Sequence, residues 1–407
     1  MRRHPGVLIV TVLVTVLGGV AGCSSKGGGG TPHPSGSAGG ASATTVELTP
    51  ANSATDIPVS AEVGLRGGAA KLTEVKLTGK DGASVPGKLR EDGQWWVPDE
   101  PLDYQVTYTA RATATTSDGK SASGSTTFTT MARPGNRMSA HLYMADNATY
   151  GQAMPLVVEF GQGGVAPADR AAVERRLFVT SNPPQVGAWH WDSATQVEYR
   201  PKEYWRPGTK ILARLGLGGL PVGGGRYGQT DITIDAAIDT VRRLIEVDNA
   251  TKQLTATQDG QVVKTMPVSL GKPAKPSLSG AMVVMERLEK TTFDSSTYGT
   301  PVSSSDGYRT DVQFAERLTW DGQFMHAAPW SVGQQGRSNV SHGCVNISTE
   351  NGQWVFNWTK VGDPVVVKGT EEHLGQGNGW TAWDLSWDDF LKGSALAQAA
   401  NPTASPS

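Results

Sequence analysis

Phe324-Met325-His326-Ala327-Ala328-Pro329-Trp330 and, beyond a polar loop, Ser341-His342-Gly343-Cys344-Val345-Asn346 are the stretches on which the reading of this chain turns. The first is a short, largely apolar run, and the segment between them, Ser331 to Asn339, is polar and contains glycine. The order strand, loop, strand puts His326 and Cys344 at adjacent strand ends, facing each other across a shared groove. Cys344 is one of only 2 cysteines in 407 residues. A lone downstream Cys with a His to pair with is a candidate nucleophile and base. The thiolate is the reactive form, and a neighbouring imidazole favours it by taking the proton. Judged on residue type alone, a buried core cysteine is the commoner outcome. The surrounding residues overturn that reading.

His326 precedes Cys344 by 344 − 326 = 18 positions, and the cysteine sits inside Ser-His-Gly-Cys-Val-Asn. This pattern resembles the signature of the L,D-transpeptidase (YkuD) family. The Ala-Pro-Trp after His326 and the run Gln334-Gln335-Gly336 resemble that family's actinobacterial branch with two immunoglobulin-like domains. The resemblance extends from about Thr45 to about Phe390 and is sharpest between Tyr308 and Asn346. One departure is Ser277-Leu278-Ser279-Gly280, where family members more often carry Thr-Pro-x-Gly.

The resemblance implies acyl transfer on peptidoglycan stem peptides. Cys344 would attack the carbonyl of a tetrapeptide stem at its third residue, releasing the terminal D-Ala. The side-chain amine of a second stem would resolve the thioester, giving a 3→3 cross-link. His326 would be general base and acid, oriented by the backbone carbonyl of Ala327. With His326 protonated, the pair could rest as thiolate and imidazolium, the thiol falling from about 8.5 into roughly the 3.5–7.5 range. Backbone N–H groups around Gly343 and Cys344 are the natural oxyanion donors, and Gly343 has no Cβ to obstruct substrate. Tyr308 matches the family tyrosine lining the donor site. Gly322 is where the backbone approaches substrate, Trp330 belongs to the same binding surface, and His342 and Asn346 support the loop or touch substrate. Carbapenems are expected inhibitors, because a strained lactam carbonyl mimics the donor peptide. No cofactor and no metal are called for.

Hydrolysis of the thioester would instead make an L,D-carboxypeptidase, and attachment to a protein amine a wall-anchoring enzyme. Two readings come from other classes. His326, His342 and Cys344 could be three zinc ligands, although no fourth is evident. A non-catalytic wall-binding scaffold is the other, and the intact His326 and Cys344 pair speaks against it.

Outward from this segment, Lys252–Ala256 and Val262–Leu270 read as strands about the turn Gln258-Asp259-Gly260. Strands are also expected over Leu244–Val247, Met282–Leu288, Thr310–Phe314 and Pro364–Val367. Glu350–Lys360 reads as a helix capped by Ser348 or Thr349. The catalytic domain is taken as 246–372. Before it, period-two alternation with turn signals predicts two immunoglobulin-like β-sandwiches, 45–131 and 132–245. The second includes a short helix from Pro167 to Leu177. His141 and His190 are structural. The chain is therefore mainly β.

At the amino end, Arg2 and Arg3 precede an apolar run from Val7 to Val20, a secretory signal over 1–22. Val20-Ala21-Gly22-Cys23 resembles a bacterial lipobox, with Cys23 acylated. The expected location is the outer face of the cell membrane, lipid-anchored and facing the wall. Residues 23–44 are a Gly/Ser-rich tether with no core to bury. At the other end, 373–407 is a strap carrying Trp380, Trp383 and Trp387, expected on the third domain or its boundary with the second. The stretch from Ala395 is expected to be disordered. A net charge of −2 without basic clusters argues against nucleic acid as a partner.

Overall fold

The computed structural model describes residues 44–67, 70–304 and 307–400. The expected signal segment, Cys23 and the tether up to Ala43 lie outside them. Among the described residues no helix is long and apolar enough to cross a membrane.

Alternating apolar residues build a first sandwich. Strands Ala70–Thr78, Thr107–Thr116 and Ser121–Thr130 form the middle of one sheet, and Leu48–Thr49, Val63–Leu65, Trp95–Pro98 and Gly87–Leu89 form the other. Leu48, Leu77, Trp96, Ala110 and Phe128 fill the space between. Leu72, Val75 and Leu77 break strict alternation because Thr73 is an extra residue: Leu72 opposes Ala114 and Glu74 opposes Thr113. That bulge restores Val75 and Leu77 to the core side. A second sandwich pairs Ala140–Leu142, Leu156–Phe160, Gln196–Pro201 and Gly187–Trp191 against Thr149–Tyr150, Ile232–Ile238, Lys210–Leu215 and Leu177–Asn182. Its helix, Pro167–Glu174, opens on a proline at the first helical position, where no N–H is needed.

The third unit has two sheets. One is six-stranded, in the order Gln261–Pro267, Gln253–Gln258, Arg243–Asp248, Pro364–Lys368, Leu278–Val283, Glu372–His373. Because Arg243–Asp248 lies wholly within it, the boundary expected at 245/246 falls before Arg243. The other sheet runs Glu286–Asp294, Arg309–Arg317, Phe324–Ala327, Val345–Ile347, its last pair parallel. Helix Thr349–Trp358 follows, its first turn capped by Ser348 Oγ accepting from the Asn351 N–H at 3.2 Å. Gly352 lets this helix lie against the His326 strand, since a Cβ there would stand 3.1 Å from that of Ala327.

The second sandwich docks on the third unit through backbone bonds. Gly151 N–H donates to Val361 O at 2.8 Å and Ala153 N–H to Gly362 O at 2.9 Å. The tryptophan-rich strap lies along this boundary. Trp380 is buried in the second sandwich's core. Arg200 donates to Ala382 O and Leu385 O, with its guanidinium over the rings of Trp383, Trp387 and Phe390. On the other side, Asp384 Oδ1 accepts from the Ala281 N–H. The expectation of disorder from Ala395 is corrected in part: Ala395–Ala400 is helical. Glu174 holds its start, accepting from Ser394 Oγ and the Ala395 N–H. A buried carboxylate supplies the order that the small, polar local sequence does not reveal.

Candidate active site

The parallel pairing aligns Met325 with Val345 and His326 with Asn346. Cys344 therefore enters at the end of its strand beside the His326 strand. A bulge opposite, between Gln313 and Glu316, leaves Phe314 at φ 52°, a left-handed conformation a bulky residue rarely adopts. Cys344 packs with Val312, Ala315 and Phe324, and Phe293 meets the His326 ring edge-on at 5.1 Å.

His326 is 3% exposed. Its Nδ1 lies 2.9 Å from Ala327 O. A carbonyl oxygen only accepts, so Nδ1 carries the hydrogen and Nε2 keeps its lone pair. The Cys344 Sγ donates weakly to Gly322 O at 3.9 Å, so the Gly322 backbone approaches the thiol itself. Burial pushes the Cys344 thiol up to about 11; a backbone hydrogen bond at Phe324 opposes this and the Asp321 carboxylate adds to it. Burial likewise pulls His326 down to about 4, against the Ala327 bond. Both shifts favour the uncharged forms. Both directions run against the thiolate–imidazolium resting pair expected from the sequence, because the apolar wall that shapes the groove withholds solvation from an ion pair.

Two cavities meet at Cys344. One, of ≈ 280 Å³, is lined by Phe293, Val312, Trp330, Val340 and His326 among others. The second, of ≈ 350 Å³, includes Lys275, Ser295, Asp321, Gln323 and Glu372. Tyr308, His342 and Cys344 line both. Trp330 is 56% exposed at the rim, 6.0 Å from the His326 ring.

Gly343 adopts φ 124°, a conformation suited to glycine. Its N–H donates to Ser341 Oγ at 3.1 Å, and its carbonyl accepts from Ser277 Oγ at 2.6 Å. The Gly343 N–H expected as an oxyanion donor is thus engaged in the loop's own scaffold. Asn346 is buried and donates from Nδ2 to Ser331 Oγ, tying the Cys344 strand to the loop after Trp330. His342 is exposed, with its Nε2 3.3 Å from Lys272 Nζ and its ring 5.4 Å from Tyr308. His326, His342 and Cys344 are not drawn into a ligand set. Among the described residues no group of ≥ 3 His, Cys, Asp or Glu side chains is placed to hold a metal ion.

Several contributors escaped the sequence reading. Ser277, Ser341, Ser331 and Gln335 are all buried around the loop. Ser277 stood out only as a departure from the family's usual Thr-Pro. Asp321 and Glu372 carried no role in the sequence reading.

The chain matches the family model for the L,D-transpeptidase catalytic domain over residues 242–367. A bacterial Ig domain model matches residues 54–221, spanning parts of both sandwiches. L,D-transpeptidase 2 of Mycobacterium tuberculosis (strain CDC 1551 / Oshkosh) is 36% identical over 84% of this chain and 83% of its own length. L,D-transpeptidase 5 of Mycobacterium tuberculosis (strain ATCC 25618 / H37Rv) is 33% identical over 98% of this chain and 85% of its own. Among solved structures, LdtMt1 in complex with imipenem is 34% identical with a TM-score of 0.49, covering 58% of this chain and 100% of that one. With two relatives above 30% identity across most of both sequences, the chain belongs to the L,D-transpeptidase family, in its form with an immunoglobulin-like region ahead of the YkuD catalytic domain.

Proposed function

We propose that the chain forms 3→3 cross-links between peptidoglycan stem peptides through a thioester on Cys344. The observation that carries this reading is the pair itself: Cys344 and His326 line one cavity, and the Ala327 carbonyl fixes the tautomer that leaves Nε2 able to accept a proton. As the sulfur attacks the donor carbonyl, the thiol proton passes to Nε2; the imidazolium then protonates the departing amine of D-Ala. Burial disfavours the charged form of each partner, which favours proton transfer accompanying attack. The Cys344 N–H and the Tyr308 hydroxyl serve the developing oxyanion, and the Gly343 N–H orders the loop. An amine must be held in place to outcompete water, an orientation effect worth up to about 7–11 kcal/mol.

The test is intact-protein mass spectrometry of the purified enzyme with a disaccharide-tetrapeptide. A thioester adduct followed by a cross-linked dimer is expected. Release of D-Ala with no dimer would leave the carboxypeptidase, and dimer formation without an adduct on Cys344 would overturn the nucleophile. Carbapenems should acylate the same sulfur. The protein is proposed to be a lipoprotein on the outer face of the cell membrane. Cys23→Ala should move it out of the membrane fraction while activity on soluble muropeptide stays; retention in the membrane would refute the anchor.

A further inference from the structure

The Gly322 carbonyl, 3.9 Å from the Cys344 Sγ, belongs to the short loop that joins strand Arg309–Arg317 to strand Phe324–Ala327. Within the loop, Thr319 Oγ1 donates to Asp321 Oδ1 and accepts from the Gln323 N–H, while the Gly322 N–H reaches Thr319 O only at 3.4 Å. Further holds come from the second sandwich and from the strap. Trp320 Nε1 donates to Gln196 Oε1 at 3.2 Å, and the Asp321 N–H donates to Asn378 Oδ1 at 3.1 Å. Gly379 lies so near that a Cβ there would stand 3.0 Å from Leu318 O. Tyr143 of the second sandwich sets its ring 5.7 Å from Trp320 and 5.6 Å from Trp380.

Gln196 is itself firmly anchored. Its Nε2 donates to Glu198 Oε1 at 2.8 Å and to Gly379 O at 3.2 Å. Glu198 is fully buried, and its other oxygen accepts from the Ala382 N–H. An indole N–H only donates and a carbonyl oxygen only accepts, so one orientation of the Gln196 amide serves both sides. We infer that Gln196 is a positioning residue: through Trp320 it fixes the loop, and with it the Gly322 carbonyl that directs the Cys344 sulfur. The second sandwich thereby shapes the site while lying outside it. The inference concerns the aim and acidity of the thiol, and it rests on the acyl-transfer reading for what that aim serves. The Gly322 oxygen carries the negative end of its carbonyl dipole. Facing the sulfur, it accepts the S–H weakly and opposes a thiolate in the same place. The Asp321 carboxylate, one residue back, opposes the thiolate as well. A loop released from Gln196 takes both influences away from the sulfur. The thiol then ionises more readily, yet the sulfur is no longer aimed at a donor carbonyl.

The experiment follows two reactions of Cys344 in the full-length protein. Iodoacetamide alkylation, read by intact mass across a pH series, reports thiolate formation without needing a substrate site. The midpoint of that profile is the reading, since a change in access alone alters the rate at every pH alike. Carbapenem acylation, read by stopped-flow lactam opening, reports the aimed attack. Gln196→Ala removes the anchor, and Trp320→Phe keeps a ring beside Tyr143 while removing only the N–H. In both, the maximal acylation rate should fall, by up to about 10²-fold in Gln196→Ala, with the half-saturating lactam concentration little changed. The alkylation midpoint should move the other way, to lower pH. Because both substitutions break one bond, the double variant should be no slower than Gln196→Ala alone. His190→Ala, which loosens the same strap at Phe390, is the control for stability and should keep the parental midpoint. Parental midpoint and acylation in Gln196→Ala and Trp320→Phe, with only a lowered melting temperature, would make Gln196 structural and overturn the inference. Additive losses in the double variant overturn the route through Trp320. A parent enzyme that is alkylated but never acylated overturns the acyl-transfer reading, while the alkylation midpoints still decide the role of Gln196.

Discussion

Two buried histidines in this molecule are held in nearly the same way and end with different uses. In the second sandwich, His190 Nδ1 lies 2.7 Å from Phe390 O; in the catalytic sheet, His326 Nδ1 lies 2.9 Å from Ala327 O. Both rings meet aromatic neighbours, Phe390 for the first and Phe293 for the second. The difference lies at the other nitrogen. His190 Nε2 looks towards Asp192 at 3.8 Å in a region sealed by the strap, whereas the His326 ring borders a cavity shared with a thiol. A carbonyl-held imidazole is a common structural device. It becomes a candidate base only where the fold leaves space and a nucleophile on its open side.

The sharpest way to break this contrast is to remove the nucleophile. Cys344→Ala should abolish acyl-enzyme formation with donor or carbapenem, as read by intact mass, while the melting temperature stays close to that of the parent. Turnover in that variant would end the assignment. His326→Ala should come next, slowing acylation by about 10²–10⁴-fold near pH 7. The pH dependence sharpens the prediction. In the parent the reacting form is thiol plus neutral imidazole, so the rate should hold level through neutrality and fall as pH drops through about 4, where His326 takes a proton. Without the base only thiolate reacts, and the rate should climb with pH towards about 11, where the buried thiol ionises. A parental rate near pH 7 in His326→Ala, followed by stopped-flow lactam opening, would remove His326 as base.

His190→Ala should behave in the opposite sense. It removes the imidazole bond to the Phe390 carbonyl, which keeps the Gly393 N–H at 3.2 Å, and should cost about 0.5–1.5 kcal/mol of stability, seen as a lowered denaturant midpoint. Acylation per folded molecule should be unaltered; a catalytic defect of His326→Ala size would erase the distinction between the two sites. The smallest effect belongs to Tyr308→Phe. One hydroxyl leaves a site whose backbone donors remain, so acylation should slow less than in His326→Ala across the same pH series.

The strands and the reacting pair were legible because their signals are local. Alternation showed through Tyr108-Thr109-Ala110, Ser348 announced the helix it caps, and His326 with Cys344 formed a pattern readable on one line of sequence. What escaped depends on contacts distant in the chain. The Ala382 N–H donates to Glu198, and Gln376 to Asp192, across 184 residues each. Burial raises both carboxyls above their ordinary range, and nothing beside them in the sequence announces that environment. The burial that works against charge on Cys344 and His326 escaped for the same reason. Proximity favours an ion pair and burial opposes it, and burial is a property of Phe293, Val312 and Phe324 together. Asp321 and Glu372 lie 51 positions apart, since 372 − 321 = 51, and become neighbours of one cavity only through the pairing of Glu372 with Leu278.

The nucleophile's strand is only 3 residues long, Val345–Ile347, and does not stand by itself. Its Asn346 exchanges two backbone bonds with Ser269, Ser341 N–H donates to Leu270 O, and Lys272 N–H returns to Ser341 O. Together with Ser277 on Gly343, these bonds sew the segment between the two sheets of the catalytic unit. Such a segment has no private melting transition: it opens only when the sheets part. Heat or denaturant should therefore extinguish the reactivity of the thiol in the same cooperative event that unfolds the domain, with no intermediate that is folded yet chemically silent.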